Sequence, residues 1–267
     1  MYPANSFARV RPRVTIGLCT RDVQGAARAG FDYIEPSGAE IAAMSEPDYK
    51  RFADAVLASS IRCDSVYSFI RRKDLVVVGD NVPKQALADY VEQCFARVRP
   101  LGTSVVVWGS AGSRQVPDGF SRERANGQIA EFLSIAGRLA KKHDIIVAIE
   151  PLDRRESNIL NTGAEALEMV RRVKHPNVRM IIDYYHLREE NEDPSILEKG
   201  KREIVHLHFA NPDGRKWPHD LNEDPVYKQF FELVKTTGYS GGISIEGRGT
   251  IAADAAASMA FFKQALA

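Results

Sequence analysis

The chain contains little cysteine and no excess of charge of either sign. Three cysteines, Cys19, Cys63 and Cys94, are spread over 267 residues, and an odd number at wide spacing does not suit a disulfide framework. We expect reduced thiols in a cytoplasmic protein. The 36 Lys and Arg residues nearly balance 35 Asp and Glu residues, for a formal net charge of +1. Because this balance gives no general attraction to nucleic acid or to an anionic membrane, we expect neither as a partner.

Long apolar runs and flexible linkers are also lacking. No apolar stretch approaches the roughly 20 residues of a transmembrane helix, and the arginines before Val14 are not followed by the apolar segment of a secretory signal. No stretch rich in Pro, Gly and Ser divides the chain. We therefore expect one domain over residues 1–267, with 1–12 as an N-terminal tail. Hydrophobic residues make up 44% of the chain, which is enough for a sizeable core.

A regular alternation of apolar, β-branched runs with helical segments is present instead. Eight helical segments separate or follow the predicted strands, which cover 14–19, 32–35, 61–68, 104–108, 145–149, 178–182, 203–208 and 242–245. Strict alternation predicts a parallel sheet with crossover helices, and eight units predict closure into a (β/α)₈ TIM barrel. An open doubly wound sheet is the alternative. It would normally show a Gly-rich turn after the first strand, where this chain has Thr20-Arg21-Asp22.

Acidic and histidine side chains follow or end the last four predicted strands. They are Glu150, Asp183, His208 and Glu246. Because the carboxyl ends of barrel strands ring one mouth, we expect these side chains to point at a common centre. Three carboxylates and one imidazole suit a hard or borderline divalent cation, whereas a structural zinc would more often use cysteines. We therefore predict one divalent metal ion, with Mn²⁺ preferred and Mg²⁺, Co²⁺ or Zn²⁺ as alternatives.

Each of these residues also has a purely structural interpretation. Glu150 and Glu246 can form ion pairs at the barrel end, Asp183 can cap a helix, and His208 can be a buried structural imidazole. Four such residues at four successive strand ends are hard to explain by structure alone. Trp108, at the end of the fourth strand, is a candidate apolar wall against a sugar face, with a plain core residue as the alternative. Glu35 and Tyr67 end other strands and are candidates to line the pocket.

The ligand set predicts proton transfer next to a carbonyl. A metal held by Glu150 and Glu246 can chelate a carbonyl and the adjacent hydroxyl of a sugar and stabilise the enediolate formed when the neighbouring carbon loses its proton. A glutamate that binds the metal through one oxygen keeps the other for proton transfer. Return of the proton on the opposite face inverts a stereocentre, and its return to the adjacent carbon interconverts an aldose and a ketose.

Four motifs of the second half of the chain are distinctive: 150–156 with 160–162, Asp183 with His186, 206–208 followed by Arg215, and Glu246. They resemble the xylose-isomerase-like TIM barrel superfamily, and most closely its ketose 3-epimerases of the D-tagatose/D-psicose (allulose) type. The resemblance implies that Glu150 and Glu246 are both metal ligands and the acid/base pair, and that Asp183 and His208 are the other ligands. It further implies that Glu156, His186 and Arg215 hold the substrate. We expect a small-molecule sugar substrate and a homo-oligomer.

The chain departs from that family pattern at several points. Asp153 stands where the family usually has Asn, the turn at Thr20-Arg21 is short, and Gly247-Arg248-Gly249 replaces the usual Pro-aromatic continuation. A wider mouth can admit a substrate bulkier than a free ketohexose, so a dehydratase or lyase of a keto-sugar or inosose is the main alternative. An abasic-site endonuclease is a remote one, since its zinc cluster needs many histidines and this chain has six, none before His143.

Overall fold

The computed structural model describes residues 13–267, and the predicted tail at 1–12 lies outside them. The eight strands are β1 Thr15–Leu18, β2 Tyr33–Ile34, β3 Ser65–Val66, β4 Val105–Trp108, β5 Ile146–Ile149, β6 Val178–Asp183, β7 Ile204–Phe209 and β8 Gly242–Ile245. Each of the eight strands overlaps its predicted run and extends at most one residue beyond it. The largest differences are at β2 and β3, which are only two residues long, because the chain on either side leaves the sheet to form loops.

The strands form one parallel sheet in the order β2-β1-β8-β7-β6-β5-β4-β3. Its two ends are brought together by isolated parallel bridges, Tyr33 with Arg62 and Ser37 with Tyr67. The sheet is therefore a nearly closed barrel, and the predicted TIM-barrel fold is confirmed.

Helices surround the sheet. Within residues 13–267 they are α1 Val23–Arg28, α2 Gly38–Ala43, α3 Glu46–Ala58, α4 Lys84–Val98, α5 Ala111–Arg114, α6 Arg122–Lys142, α7 Gly163–Val173, α8 Tyr184–Glu189, α9 Ile196–Lys199, α10 Tyr227–Thr236 and α11 Ile251–Ala265. The sequence did not predict α2, α5 and α8. Each has only four to six residues, which is too short to show a helical period. The equally short α1 and α9 were predicted from the residues that bound them, Gly30 after α1 and Pro194 before α9. In the described part of the chain, no helix is long and apolar enough to cross a membrane.

Side-chain caps explain where several helices begin. Ser45, Ser121, Thr162 and Thr250 each accept a hydrogen bond from the backbone N–H three residues later, at the starts of α3, α6, α7 and α11. Such caps satisfy donors that have no partner inside the helix. Asp183 caps α8 in a similar way by accepting from the N–H of Tyr185 at 2.8 Å. The start of α8 is thereby placed directly at the mouth of the barrel.

Strand side chains divide between two apolar layers. Val107, Ala148 and Ile181 form a small cluster inside the barrel, whereas Ile149 and Ile182 belong to the large core between the sheet and the helices. Because side chains alternate along a strand, residues two positions after the interior cluster members face inward again. This alternation brings Glu150 and Asp183 to the same mouth.

Candidate active site

The four predicted ligands converge at the carboxyl ends of β5 to β8. Glu150 and Glu246 directly follow β5 and β8, Asp183 ends β6, and His208 lies one residue before the end of β7. One potential ligand atom from each of the four lies within 4.8 Å of the others. Glu150, Asp183 and His208 are buried and Glu246 is partly buried. We call these four residues the central cluster.

Two positive groups balance the carboxylates of the central cluster. His208 Nδ1 lies 2.8 Å from Glu150 Oε1 and 3.3 Å from Glu246 Oε2. Arg215 Nη2 lies 2.7 Å from Glu246 Oε2 and 3.3 Å from Asp183 Oδ2. Three carboxylates held this close repel one another unless positive charge lies between them. The three carboxylates therefore favour cationic partners, and in this structure His208 and Arg215 supply the positive charge.

The two glutamates of the central cluster have different environments. Burial raises the pKa of Glu150, and the charge of His208 offsets this only in part. Burial also opposes ionisation of Glu246, but the hydrogen bond from His208 and the charges of His208 and Arg215 outweigh it and lower the pKa of Glu246 to about 2. Paired carboxylates whose surroundings separate their pKa values are typical of sites of proton transfer.

Glu35 lies beneath the central cluster and orients His208. Its carboxylate is fully buried and accepts hydrogen bonds from His208 Nε2 at 3.1 Å and His206 Nε2 at 2.7 Å, and also from the hydroxyl of Ser244. With Nε2 occupied in this way, Nδ1 of His208 faces the centre. The sequence marked Glu35 only as a strand-end candidate, and this second role was missed. The sequence feature that pointed to Glu35 was a carboxylate directly after an apolar strand, which is also the position of Glu150.

His186 is held at the edge of the central cluster by Asp153. Its Nδ1 lies 2.9 Å from Asp153 Oδ2, and both side chains are buried. Its Nε2 lies 3.6 Å from Asp183 Oδ2 and has no hydrogen-bond partner among the described residues. A buried polar atom without a partner is unusual. Asp153 therefore orients an imidazole whose Nε2 is turned towards the cluster.

Arg215 reaches the cluster from the loop after β7. Besides its contacts with Glu246 and Asp183, its Nη1 lies 3.1 Å from Glu156 Oε1, and its guanidinium lies 4.7 Å from the centre of the Tyr185 ring. Its backbone has a φ of 53°, a left-handed conformation that costs energy for a residue with a side chain. The surrounding contacts keep the loop in this conformation and the guanidinium at the mouth.

Trp108 does not lie at the site. Its indole is fully buried, its ring centre is 5.1 Å from that of Phe132 in α6, and its Nε1 donates to Ser113 at 3.1 Å. Because Val107 faces the barrel interior, the alternation of the strand turns Trp108 towards the helices. The expectation that its ring forms a wall against a sugar is wrong, and the core alternative describes it correctly.

The central cluster suits a divalent metal better than the neighbouring groups do. Two more sets of potential ligands lie close by in the described residues: Cys19, Glu35 and His208, and Asp153, Glu156 and His186. The first of these sets offers one carboxylate, one imidazole and one thiol, and the second offers two carboxylates and one imidazole. The central cluster instead offers three carboxylates and one imidazole, a donor set typical of Mn²⁺ or Mg²⁺. None of the three sets in residues 13–267 contains more than one histidine, whereas the zinc cluster of an abasic-site endonuclease needs many.

Comparisons with known proteins agree with this architecture. Residues 23–265 match the family described as xylose isomerase-like TIM barrel. The L-ribulose 3-epimerase of Methylomonas sp. (strain DH-1) is 29% identical over 236 residues, which cover 84% of this chain and 76% of that protein. The probable ketose 3-epimerase of Synechocystis sp. is 26% identical over 126 residues, which cover 47% of this chain and 43% of that protein.

A solved structure shows the same fold over almost the whole chain. The D-allulose 3-epimerase from Methylomonas sp. has a TM-score of 0.81 and 21% identity, with 96% of this chain and 100% of that chain covered. Several relatives by sequence are named as epimerases or isomerases, and this chain is an enzyme of the isomerase class. The predicted resemblance is confirmed: the chain belongs to the xylose isomerase-like TIM barrel family.

Proposed function

We propose that the protein is a metal-dependent epimerase or isomerase of a ketose or keto-sugar derivative. The observation that carries the proposal is the pair of glutamates at one cation-attracting centre, with Glu150 Oε1 and Glu246 Oε2 at 2.8 and 3.3 Å from the same nitrogen of His208. The relatives that are named as L-ribulose and ketose 3-epimerases support a sugar as the substrate.

The central cluster would hold one divalent ion, for which we favour Mn²⁺. Glu150, Asp183, His208 and Glu246 supply the ligands, and the close approach of their carboxylates supports a bound cation. When bound there, such an ion polarises a substrate carbonyl and offsets the negative charge that develops on its oxygen. Glu35 would act through His208, because a histidine ligand is oriented by the partner of its other nitrogen.

The two glutamates would move the proton. One carboxylate takes the proton from the carbon next to the carbonyl. The electron pair of the broken C–H bond forms a C=C double bond, and the π pair of the carbonyl moves to its oxygen, which gives an enediolate. The other glutamate returns a proton to the opposite face, and the stereocentre is inverted. Return of the proton to the neighbouring carbon gives an isomer instead. The different pKa directions of Glu150 and Glu246 suit a pair in which one begins ionised and the other can hold a proton.

Three further side chains would position the substrate. Nε2 of His186 is unpartnered among the described residues and faces the cluster, and it can donate to or accept from a sugar oxygen. Glu156 and Arg215 meet at 3.1 Å beside Glu246, where a planar guanidinium can hold two adjacent oxygens. These contacts would fix the orientation of the sugar over the carboxylate pair.

Product analysis in D₂O tests the proposed function. The enzyme is incubated with Mn²⁺ and a panel of ketoses, keto-sugar derivatives and inososes, and the products are examined by NMR. We expect an epimer or isomer with deuterium at the carbon α to the carbonyl. An unsaturated product that has lost water would support the dehydratase alternative. Conversion that exchanges no solvent hydrogen even at extended turnover would contradict transfer between two bases.

Replacement of Arg215 by alanine should weaken substrate positioning without loss of the metal. We expect Arg215→Ala to raise the free energy of the transition state by about 1–3 kcal/mol, as for lost hydrogen bonds to charged groups, and this appears as a lower kcat/KM. Lys216→Ala is the matched control, because that side chain is exposed and pairs with Asp213. Unchanged kcat/KM in Arg215→Ala would return Arg215 to a structural role.

Replacement of Glu35 by glutamine should weaken metal binding although Glu35 is not a ligand. The amide has no charge and cannot accept from both His206 and His208 as the carboxylate does. We expect the affinity for Mn²⁺ to fall about 10- to 100-fold, as measured by competition with a chelator. Glu198→Gln, at an exposed position of α9, should bind as the wild type does. Equal affinity in both variants would contradict an orienting role for Glu35.

A further inference from the structure

Gly109 is in direct contact with the carboxylate of Glu150. It follows β4, and a Cβ atom built on it would lie 1.7 Å from Oε2 and 2.8 Å from Cδ of Glu150. The backbone of Gly109 does not have a positive φ, so an L-amino acid can adopt its conformation. What the position requires is therefore the absence of a side chain, because the carboxylate of Glu150 occupies the space that a side chain would need.

Arg114 holds the main chain at the same place. It is fully buried, and it donates from Nη1 to the carbonyl oxygen of Trp108 at 3.2 Å and from Nη2 to that of Glu150 at 2.8 Å. Its Nε has no hydrogen-bond partner in the described chain, and burial lowers its pKa to about 10. A buried guanidinium without a carboxylate in contact is costly. Its contacts tie the end of β4 to the residue that follows β5.

We propose that Gly109 is a positioning residue for Glu150. Arg114 restrains the backbone of Glu150, and the bare backbone of Gly109 lets the carboxylate lie where Oε1 meets His208 Nδ1 at 2.8 Å. Gly109 thus acts through Glu150 and touches neither the substrate nor the metal. The inference rests on the proposed role of Glu150 as a ligand and proton carrier.

A methyl group at Gly109 would overlap the carboxylate of Glu150 and not the main chain. The nearest atom is the far end of a flexible side chain, and the Cβ of Glu150 is 3.4 Å away. The fold can therefore accept the methyl group if the carboxylate rotates aside. That rotation would disturb the contact with His208 and displace the carboxylate oxygens that we propose to react. A displacement of about 1 Å is enough to lower a reaction rate about 100-fold.

A pair of alanine variants tests the proposal. Gly109→Ala should lower kcat about 100-fold, weaken Mn²⁺ binding in a titration with the metal alone, and shift the thermal midpoint by less than about 4 °C. Gly112→Ala is the matched control, since a Cβ at Gly112, in α5, would meet no atom within 4 Å. We expect its kcat within about twofold of the wild type. Wild-type kcat and Mn²⁺ affinity in Gly109→Ala, or equal losses in both variants, would overturn the proposal.

Combination with Glu150→Gln shows whether Gly109 acts through that carboxylate. If it does, the double variant Gly109→Ala/Glu150→Gln should have the same kcat and Mn²⁺ affinity as Glu150→Gln alone, because contacting residues are not additive. A further loss equal to that in the wild-type background would overturn the inference. Full activity of Glu150→Gln would instead refute the proposed function. Loss of activity in Glu150→Gln with none in Gly109→Ala would refute the positioning role alone.

Discussion

Glu246→Gln is expected to lower kcat about 10²- to 10⁴-fold, the range that a positioned general acid or base contributes. The amide has nearly the same size as the carboxylate, and its oxygen can still accept from Arg215, which lies 2.7 Å from Glu246 Oε2. It cannot take up a proton from carbon. Because an amide is also a weaker metal ligand than a carboxylate, kcat and KM are measured at saturating Mn²⁺ with the metal content checked. Under these conditions substrate binding should be largely retained, and the loss should fall on kcat rather than on KM.

Solvent exchange makes the test of Glu246 specific. Turnover in D₂O should place deuterium at the carbon α to the carbonyl in the wild type, and the rate of this incorporation should fall in parallel with kcat in Glu246→Gln. Glu198→Gln controls for the loss of one negative charge at an exposed position. An active Glu246→Gln enzyme would refute the acid/base role.

Asp183→Asn and His208→Ala are expected to abolish stable metal binding and with it the activity. The asparagine variant is the cleaner of the two. Asp183 caps α8 through the N–H of Tyr185, and asparagine caps helices as well as aspartate does. The fold should therefore persist while the anionic ligand is lost. His208→Ala also leaves the buried carboxylate of Glu35 without one of its donors, so we expect an additional loss of stability.

Metal content and thermal stability both report on this prediction. The wild type should retain about one divalent ion per chain, and added Mn²⁺ should raise its thermal midpoint because ligands that bind only the folded state stabilise it. Neither variant should respond at the same concentration. His219→Ala is the control, as His219 pairs with Asp254 at the surface. Full occupancy in both Asp183→Asn and His208→Ala would show that the ligands lie elsewhere.

Much of the scaffold was predictable from local patterns. The apolar runs at 145–149, 178–182 and 242–245 correspond to β5, β6 and β8 within one residue at each end, and Ser45 and Ser121 cap the helices that follow them. Periodicity and caps are local signals, so they can be read without the fold. The short helix α5 gave no such signal, because four residues are too few for a period.

The sequence by itself determined the barrel, the order of its strands and the placement of Glu150, Asp183, His208 and Glu246 at four successive strand ends. These follow from alternating polarity and from the chain direction in a parallel sheet. Only the tertiary structure decided which side chains meet. It turned Trp108 outwards to α6, placed Glu35 beneath His208 across 173 residues of sequence, and set Gly109 against Glu150. Such contacts depend on strand register and barrel closure, which join residues far apart in the chain and leave no periodic trace in it.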